Sequence, residues 1–203
     1  MEHNANQITL RGNLSAPPTF SHENHGKQFY RFFLEVPRLS GVADTLPVIA
    51  DKSLLESAGA DPGGMLTVTG QIRSHNRREN GVRRLMIFVF ATQINVASGE
   101  AVNNLDLTGV LCREPVYRCT PLGREICDVM LVVPRAFHRA DYIPCILWGR
   151  LAQEARDHHV RDLLSIRGRL QSRIYTKLTP DGAIERTAYE VSALESWFPE
   201  PEE

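Results

Sequence analysis

The 203-residue chain contains no apolar run near the roughly 20 residues that a membrane span requires. Cysteine is scarce. Its four residues, Cys112, Cys119, Cys127 and Cys145, all lie in the second half and form no CxxC pair. No two histidines have three to five residues between them, so a structural zinc site is not expected. The thiols are expected to be reduced and mostly buried. Neither sign of charge dominates: Lys plus Arg is 23 and Asp plus Glu is 24. That balance argues against a chain that is basic all over, yet it leaves room for a local basic groove. HExxH, Walker A, GxSxG and Rossmann glycine patterns are all missing, so no catalytic residue and no cofactor is expected. The first residues show no basic cluster ahead of an apolar stretch, so no signal peptide is expected and a cytoplasmic location is the default. What is present is 42% hydrophobic and 23% charged residues, a globular composition with enough length for two domains.

An internal repeat organises the chain. Gly12 and Gly109 are 97 positions apart, and the same offset pairs Leu10 with Leu107, Leu14 with Leu111, Pro18 with Pro115 and Phe20 with Tyr117. It continues through Leu34/Leu131, Val36/Val133, Pro37/Pro134, Arg38/Arg135 and Ile49/Ile146. Farther on the offset becomes 98 at Gly70/Gly168 and Ser74/Ser172, then 101 at Gly81/Gly182. Two copies of one domain are therefore expected, at 1–97 and 104–195, followed by a short acidic tail at 196–203.

Each copy reads as five strands and a short helix. In the first, alternation marks a strand over 8–14, a second from about Gln28 to Val36 and a third over 46–50. A short helix follows over 52–58, ended by Gly59, then strands over 65–72 and 84–94. The second copy repeats this, with a better helix over 151–155. Five strands with a helix between the third and fourth is the order of an OB-fold barrel, so the fold class is all-β with short helices, as two tandem barrels. Glycines in the first and fourth strands suit the bends of a small closed barrel.

The second copy carries specific motifs. Ile143-Pro144-Cys145-Ile146-Leu147-Trp148-Gly149-Arg150-Leu151-Ala152 resembles the strand-to-helix segment of bacterial single-stranded DNA-binding proteins. Residues 164–175, followed by Asp181-Gly182 and Glu190-Val191, resemble the same family, in the same order. The first copy is similar to a divergent member of it, or to primosomal replication protein N, chiefly through the repeat. The resemblance implies single-stranded DNA as ligand, in replication, recombination or repair, and no catalysis. It also implies four OB-folds per assembly, hence a homodimer. The alternative function is an interaction scaffold in a replication or mobile-element complex, with weak or no nucleic-acid binding.

Single-strand binders combine a cationic groove with flat aromatic surfaces. Over 142–148, Ile143, Cys145 and Leu147 make one apolar face. Tyr142 and Trp148 then lie on the other, with Pro144 and Ile146. The resemblance implies that Trp148, Tyr142, Tyr175 and Phe137 are base-stacking residues; the other reading is that they cover an inter-subunit surface. The first copy departs at these positions, with Asp51, Thr45 and Ser40 opposite Trp148, Tyr142 and Phe137. Its stacking platform is therefore expected to be lost. It keeps a basic hairpin around Gly81 carrying Arg77, Arg78, Arg83 and Arg84, expected to touch phosphates. In the second copy Arg150, Arg167, Arg169, Arg173, Lys177 and Arg186 are basic, and residues 104–194 hold 13 Lys plus Arg against 11 Asp plus Glu. Arg150, Arg173 and Lys177 are expected phosphate contacts. Arg38 and Arg135, each after Val-Pro, are further candidates or are salt-bridged. Trp197-Phe198-Pro199 is expected to pack on the barrel.

Overall fold

A computed structural model describes residues 6–59, 61–79, 81–179 and 182–199; the expected acidic tip at Glu200, Glu202 and Glu203 lies outside them. The first half runs β1 (Asn6–Leu14), β2 (Thr19–Asn24), β3 (Lys27–Pro37), β4 (Ala43–Asp51), α1 (Lys52–Ala58), β5 (Met65–Glu79) and β6 (Val82–Val96). The second repeats it as β7 (Val102–Leu111), β8 (Val116–Cys119), β9 (Glu125–Arg135), β10 (Arg139–Trp148), α2 (Arg150–Ala155), β11 (Leu163–Thr179) and β12 (Gly182–Trp197). Alternation does what it promises in β1, where Ile8, Leu10 and Leu14 are buried while Gln7 and Asn13 are exposed. The helix over 52–58 falls where expected: Asp51 accepts a hydrogen bond from the Ser53 amide, and Gly59 closes the helix at φ 60°.

Pairing closes each half into a ring. β1 meets β3 at Leu14↔Leu34 and β5 from Ile8↔Gly70 onward; β5 continues to β6. β6 joins β4 in parallel at Val48↔Val89, and β4 returns to β3. β7, β9, β10, β12 and β11 close in the same way. This is the all-β, tandem OB-fold architecture. At Gly70 and Gly168 the ladder slips by a residue, and an added Cβ would run into the carbonyl oxygens of Phe90 and Ser192. The strands bend there because nothing larger fits.

Two expectations need correction. Each half has a sixth strand, β2 or β8, paired only to β3 or β9; every residue of β2 is exposed, so no alternation announces it. The thiols divide evenly: Cys127 and Cys145 are buried, whereas Cys112 and Cys119, at the ends of β7 and β8, are exposed. Burial pushes the Cys127 thiol up to about 11 and Cys145 higher still. The second helix, six residues against seven, buries Ala152 and Ala155, whereas α1 buries nothing fully.

β1 and β7 pair antiparallel from Asn6↔Leu107 to Arg11↔Val102, so one sheet crosses both halves. Two matched ionic clasps flank this seam. Asp44, fully buried, accepts from the Ser172 amide (2.6 Å) and hydroxyl (3.0 Å) of the other half, and from Arg38 Nη2 (2.5 Å) and Nε (2.7 Å). Arg38 also donates to the Ser172 carbonyl at 2.9 Å. Its repeat mate Asp141 accepts from the Ser74 amide (2.7 Å), Arg73 (3.2 Å) and Arg135 (3.3 Å). A buried carboxylate needs such partners, because an unpaired buried charge is expensive.

Candidate nucleic-acid interface

The outer face of the second half carries a groove of about 880 Å³. Ile126 and Asp128 of β9, Ile146 and Trp148 of β10, and residues from β11 and β12 form its floor and one wall. Arg118, Arg124 and Arg150 stand at its margins, and Arg38 enters from the first half. With Arg169 and Arg173 the lining holds six guanidinium groups, against the carboxylates of Asp128 and Glu190. The excess is cationic in a chain whose formal charge is −1. Ile146, expected on the open face, is on that face but only 5% exposed, because the groove walls close over it.

The arginines differ in availability. Arg118 meets Asp128 at 2.8 Å and Arg173 meets Glu190 at 3.7 Å. Arg150 is paired with Glu154 at 3.4 Å while remaining highly exposed. The Arg118 and Arg150 pairs are exposed, hence weak, and yield to a competing phosphate. The Arg169 Nε is a buried donor with no hydrogen-bond partner among the described residues. Arg38 is different, because its pair with buried Asp44 fixes it as part of the wall.

Of the four expected stacking residues, only Trp148 lines the groove. Its indole Nε1 donates to Ser192 Oγ at 3.2 Å, which fixes the ring plane while leaving 37% of the residue exposed. Tyr142, 44% exposed, lies on the same strand face six residues away, roughly 20 Å. Its amide donates to Ser74 Oγ of the first half, which puts it at the seam. Tyr175 is 37% exposed on the β11–β12 hairpin, with the Arg173 guanidinium 5.7 Å from its ring centroid. Lys177 shares that face two residues along, and Arg186 pairs across from Tyr175. Phe137, 91% exposed, stands in the β9–β10 turn at φ 60°, a left-handed conformation that a bulky side chain adopts only under constraint.

Arg135 is tied to buried Asp141, so it serves the seam clasp. Arg167 is engaged by Asp106 and Glu195, which raise its pKa. In the first half, Arg77 pairs across from Arg84 and Arg78 from Arg83. Cross-strand partners share a face and neighbours along a strand do not, so the four arginines divide two and two between the faces of the hairpin. Phe198 stacks on His158 with centroids 3.3 Å apart, while Trp197 ends β12 and stays half-exposed. Arg118 and Arg124 were not anticipated, because β8 and its turn carry no burial pattern.

A model of the Single-strand binding protein family matches residues 102–196. Over 81 residues the chain is 35% identical to Single-stranded DNA-binding protein 1 of Staphylococcus aureus (strain COL), covering 36% of this chain and 48% of that protein. It is 33% identical to Single-stranded DNA-binding protein A of Bacillus subtilis (strain 168), covering 36% and 47%. The chain thus spans about half the length of these curated relatives. Among solved structures, the wild-type single-stranded DNA binding protein from Thermus aquaticus aligns at a TM-score of 0.79 and 24% identity, over 98% of this chain and 94% of that one. A deletion variant of the same protein reaches 0.80 over 100% and 98%. That likeness extends the common fold across both halves. Residues 102–196, where the ordered motifs and most of the Trp148 groove also lie, are thus similar to the single-strand binding protein family.

Proposed function

We propose that this chain binds single-stranded DNA, without catalysis and with little sequence preference. The observation that carries the proposal is the groove around Trp148, where six arginines surround one oriented indole. Bases stack on Trp148, and on Tyr175 and Tyr142 as the strand leaves the groove, because every base has a π-face. Arg150, Arg173, Lys177 and the groove arginines take the phosphates, while Phe137 offers a further, unsupported aromatic surface. Two OB-folds per chain give four in a homodimer, the assembly proposed here. The proposed setting is cytoplasmic DNA replication, recombination or repair, with replication or recombination proteins as partners. Among the described residues, no helix is long and apolar enough to cross a membrane.

Titration of the full chain with polythymidine, read by tryptophan emission, tests the proposal. Saturable quenching supports it. Absence of binding at low salt refutes it and leaves the protein-scaffold reading, which a pull-down of a helicase or primase would then support.

A further inference from the structure

The first half was expected to have lost its stacking surface, because Asp51, Thr45 and Ser40 stand opposite Trp148, Tyr142 and Phe137. The structure nevertheless assembles aromatics there from other positions. A groove of about 730 Å³ is lined by Phe20, Phe33, Phe88 and Tyr189, with Arg31 and His75 beside them. It overlaps the place that the Trp148 groove takes in the other ring, Arg31, Ile49 and His75 being the counterparts of Asp128, Ile146 and Arg173. Ile49 pairs with Phe90 as Ile146 pairs with Ser192, which puts Phe88 at the counterpart of Glu190. Phe33 likewise stands at the counterpart of Met130, and His75 at that of Arg173.

The substitutions change the chemistry in one direction. Where the second half sets Arg173 against Glu190, the first sets the His75 ring against Phe88, centroids 5.7 Å apart. The Arg31 guanidinium lies 5.8 Å from the Phe33 ring centroid. Among the described residues no carboxylate lines the groove, whereas Arg31, Arg77, His22 and His75 all do. Burial and then the charges of Arg77 and His22 lower the His75 pKa, as a positive neighbourhood should. Tyr189 belongs to the second half, so each groove borrows a side chain across the seam: Tyr189 here, Arg38 there.

We infer that this groove is a second single-strand site in which bases stack on Phe33 and Phe88 and phosphates meet Arg31 and Arg77. The inference rests on the proposed single-stranded DNA binding and adds a site built from aromatics outside the family motif positions. An aromatic groove rimmed by cations suits a flat base on an anionic backbone. The two grooves would hold one strand across the seam, each with its own stacking residues.

The test uses the full chain with a short oligothymidine. In a Trp148→Phe, Trp197→Phe background, Phe88→Trp places the sole indole in the first-half groove. Its emission should be quenched on titration, and Phe33→Leu added to it should weaken that quenching roughly 5- to 150-fold. Calorimetry on the parent should find two short oligonucleotides per chain, falling to one in Phe33→Leu/Phe88→Leu, which keeps apolar volume and removes the rings. If Trp148 is quenched in the parent while the Phe88→Trp emission stays unchanged and the stoichiometry is one, the inference is overturned and the proposed function stands. If neither tryptophan responds and no heat is released, both fail together.

Discussion

Replacing Asp44 by Ala tests whether the seam is held by its ionic clasps. The Asp44 side chain is 1% exposed and receives four donors: two from Arg38, and the amide and hydroxyl of Ser172 across the seam. Removing one member of a buried pair typically costs about 3–5 kcal/mol, because the other charge is left unpaired. Arg38 is 23% exposed and recovers part of its hydration, which favours the lower end, about 3 kcal/mol. For a chain of this size that lowers the melting temperature by roughly 6–12 °C, measurable by calorimetry. Burial pushes the Asp44 carboxyl up, but the Arg38 and Ser172 donors outweigh it and hold the pKa below its ordinary 3.8. A depressed folded pKa means stability that is complete above the unfolded value and lost as pH falls through the folded one. The parent should therefore lose this contribution only below about pH 3.8, and Asp44→Asn should show a flatter acid limb. Replacing both partners, Arg38→Met with Asp44→Leu, should recover most of the loss. A melting point for Asp44→Ala within 2 °C of the parent would refute the clasp as a stabilising device.

On a Trp197→Phe background, Trp148→Ala should weaken single-strand affinity by about 1–3 kcal/mol while the protein stays folded by circular dichroism. Unchanged affinity would remove Trp148 from the site. Replacing Arg77, Arg78, Arg83 and Arg84 by Ala should lower the salt slope for long strands. The change should be about 1.4 if one face of the hairpin meets the strand and about 2.8 if both do, at 0.7 per phosphate. Short oligonucleotides held by the second half should be less affected. Gly168→Ala forces a Cβ onto the Ser192 carbonyl and should lower the urea midpoint by the equivalent of about 2 kcal/mol or more.

The parts legible in the sequence are those written in local periodicity. The inward faces of β1 and β10, the helix between Asp51 and Gly59 and the repeated Gly70/Gly168 bends follow from alternation and turn chemistry. Trp148 is legible as outward-facing for the same reason. What escapes is non-local. β2 is wholly exposed and is held by pairing to β3 alone, so its sequence carries no pattern. Asp44 finds Ser172 across 128 positions, a partnership only the closed seam creates. The first-half aromatic groove is built at other repeat positions than the motif ones, at an offset of 97 for Phe33 and 102 for Phe88. Comparison at Trp148, Tyr142 and Phe137 alone meets Asp51, Thr45 and Ser40 and reads the surface as lost, while Phe33 and Phe88 stand opposite Met130 and Glu190. Arg38 and Arg135 look alike in sequence, and both join clasps, yet Arg38 also lines the Trp148 groove.

The most direct test of the central claim is a polythymidine titration of the full chain at two salt concentrations, followed through Trp148 emission with Trp197→Phe as background. Stacking combined with phosphate contact predicts strong quenching at both salts. Affinity should fall with a log–log slope near −0.7 for each phosphate held, or about −2 to −4 for three to six contacts. Binding at low salt that leaves the Trp148 emission unchanged, or no binding at either salt, would contradict it.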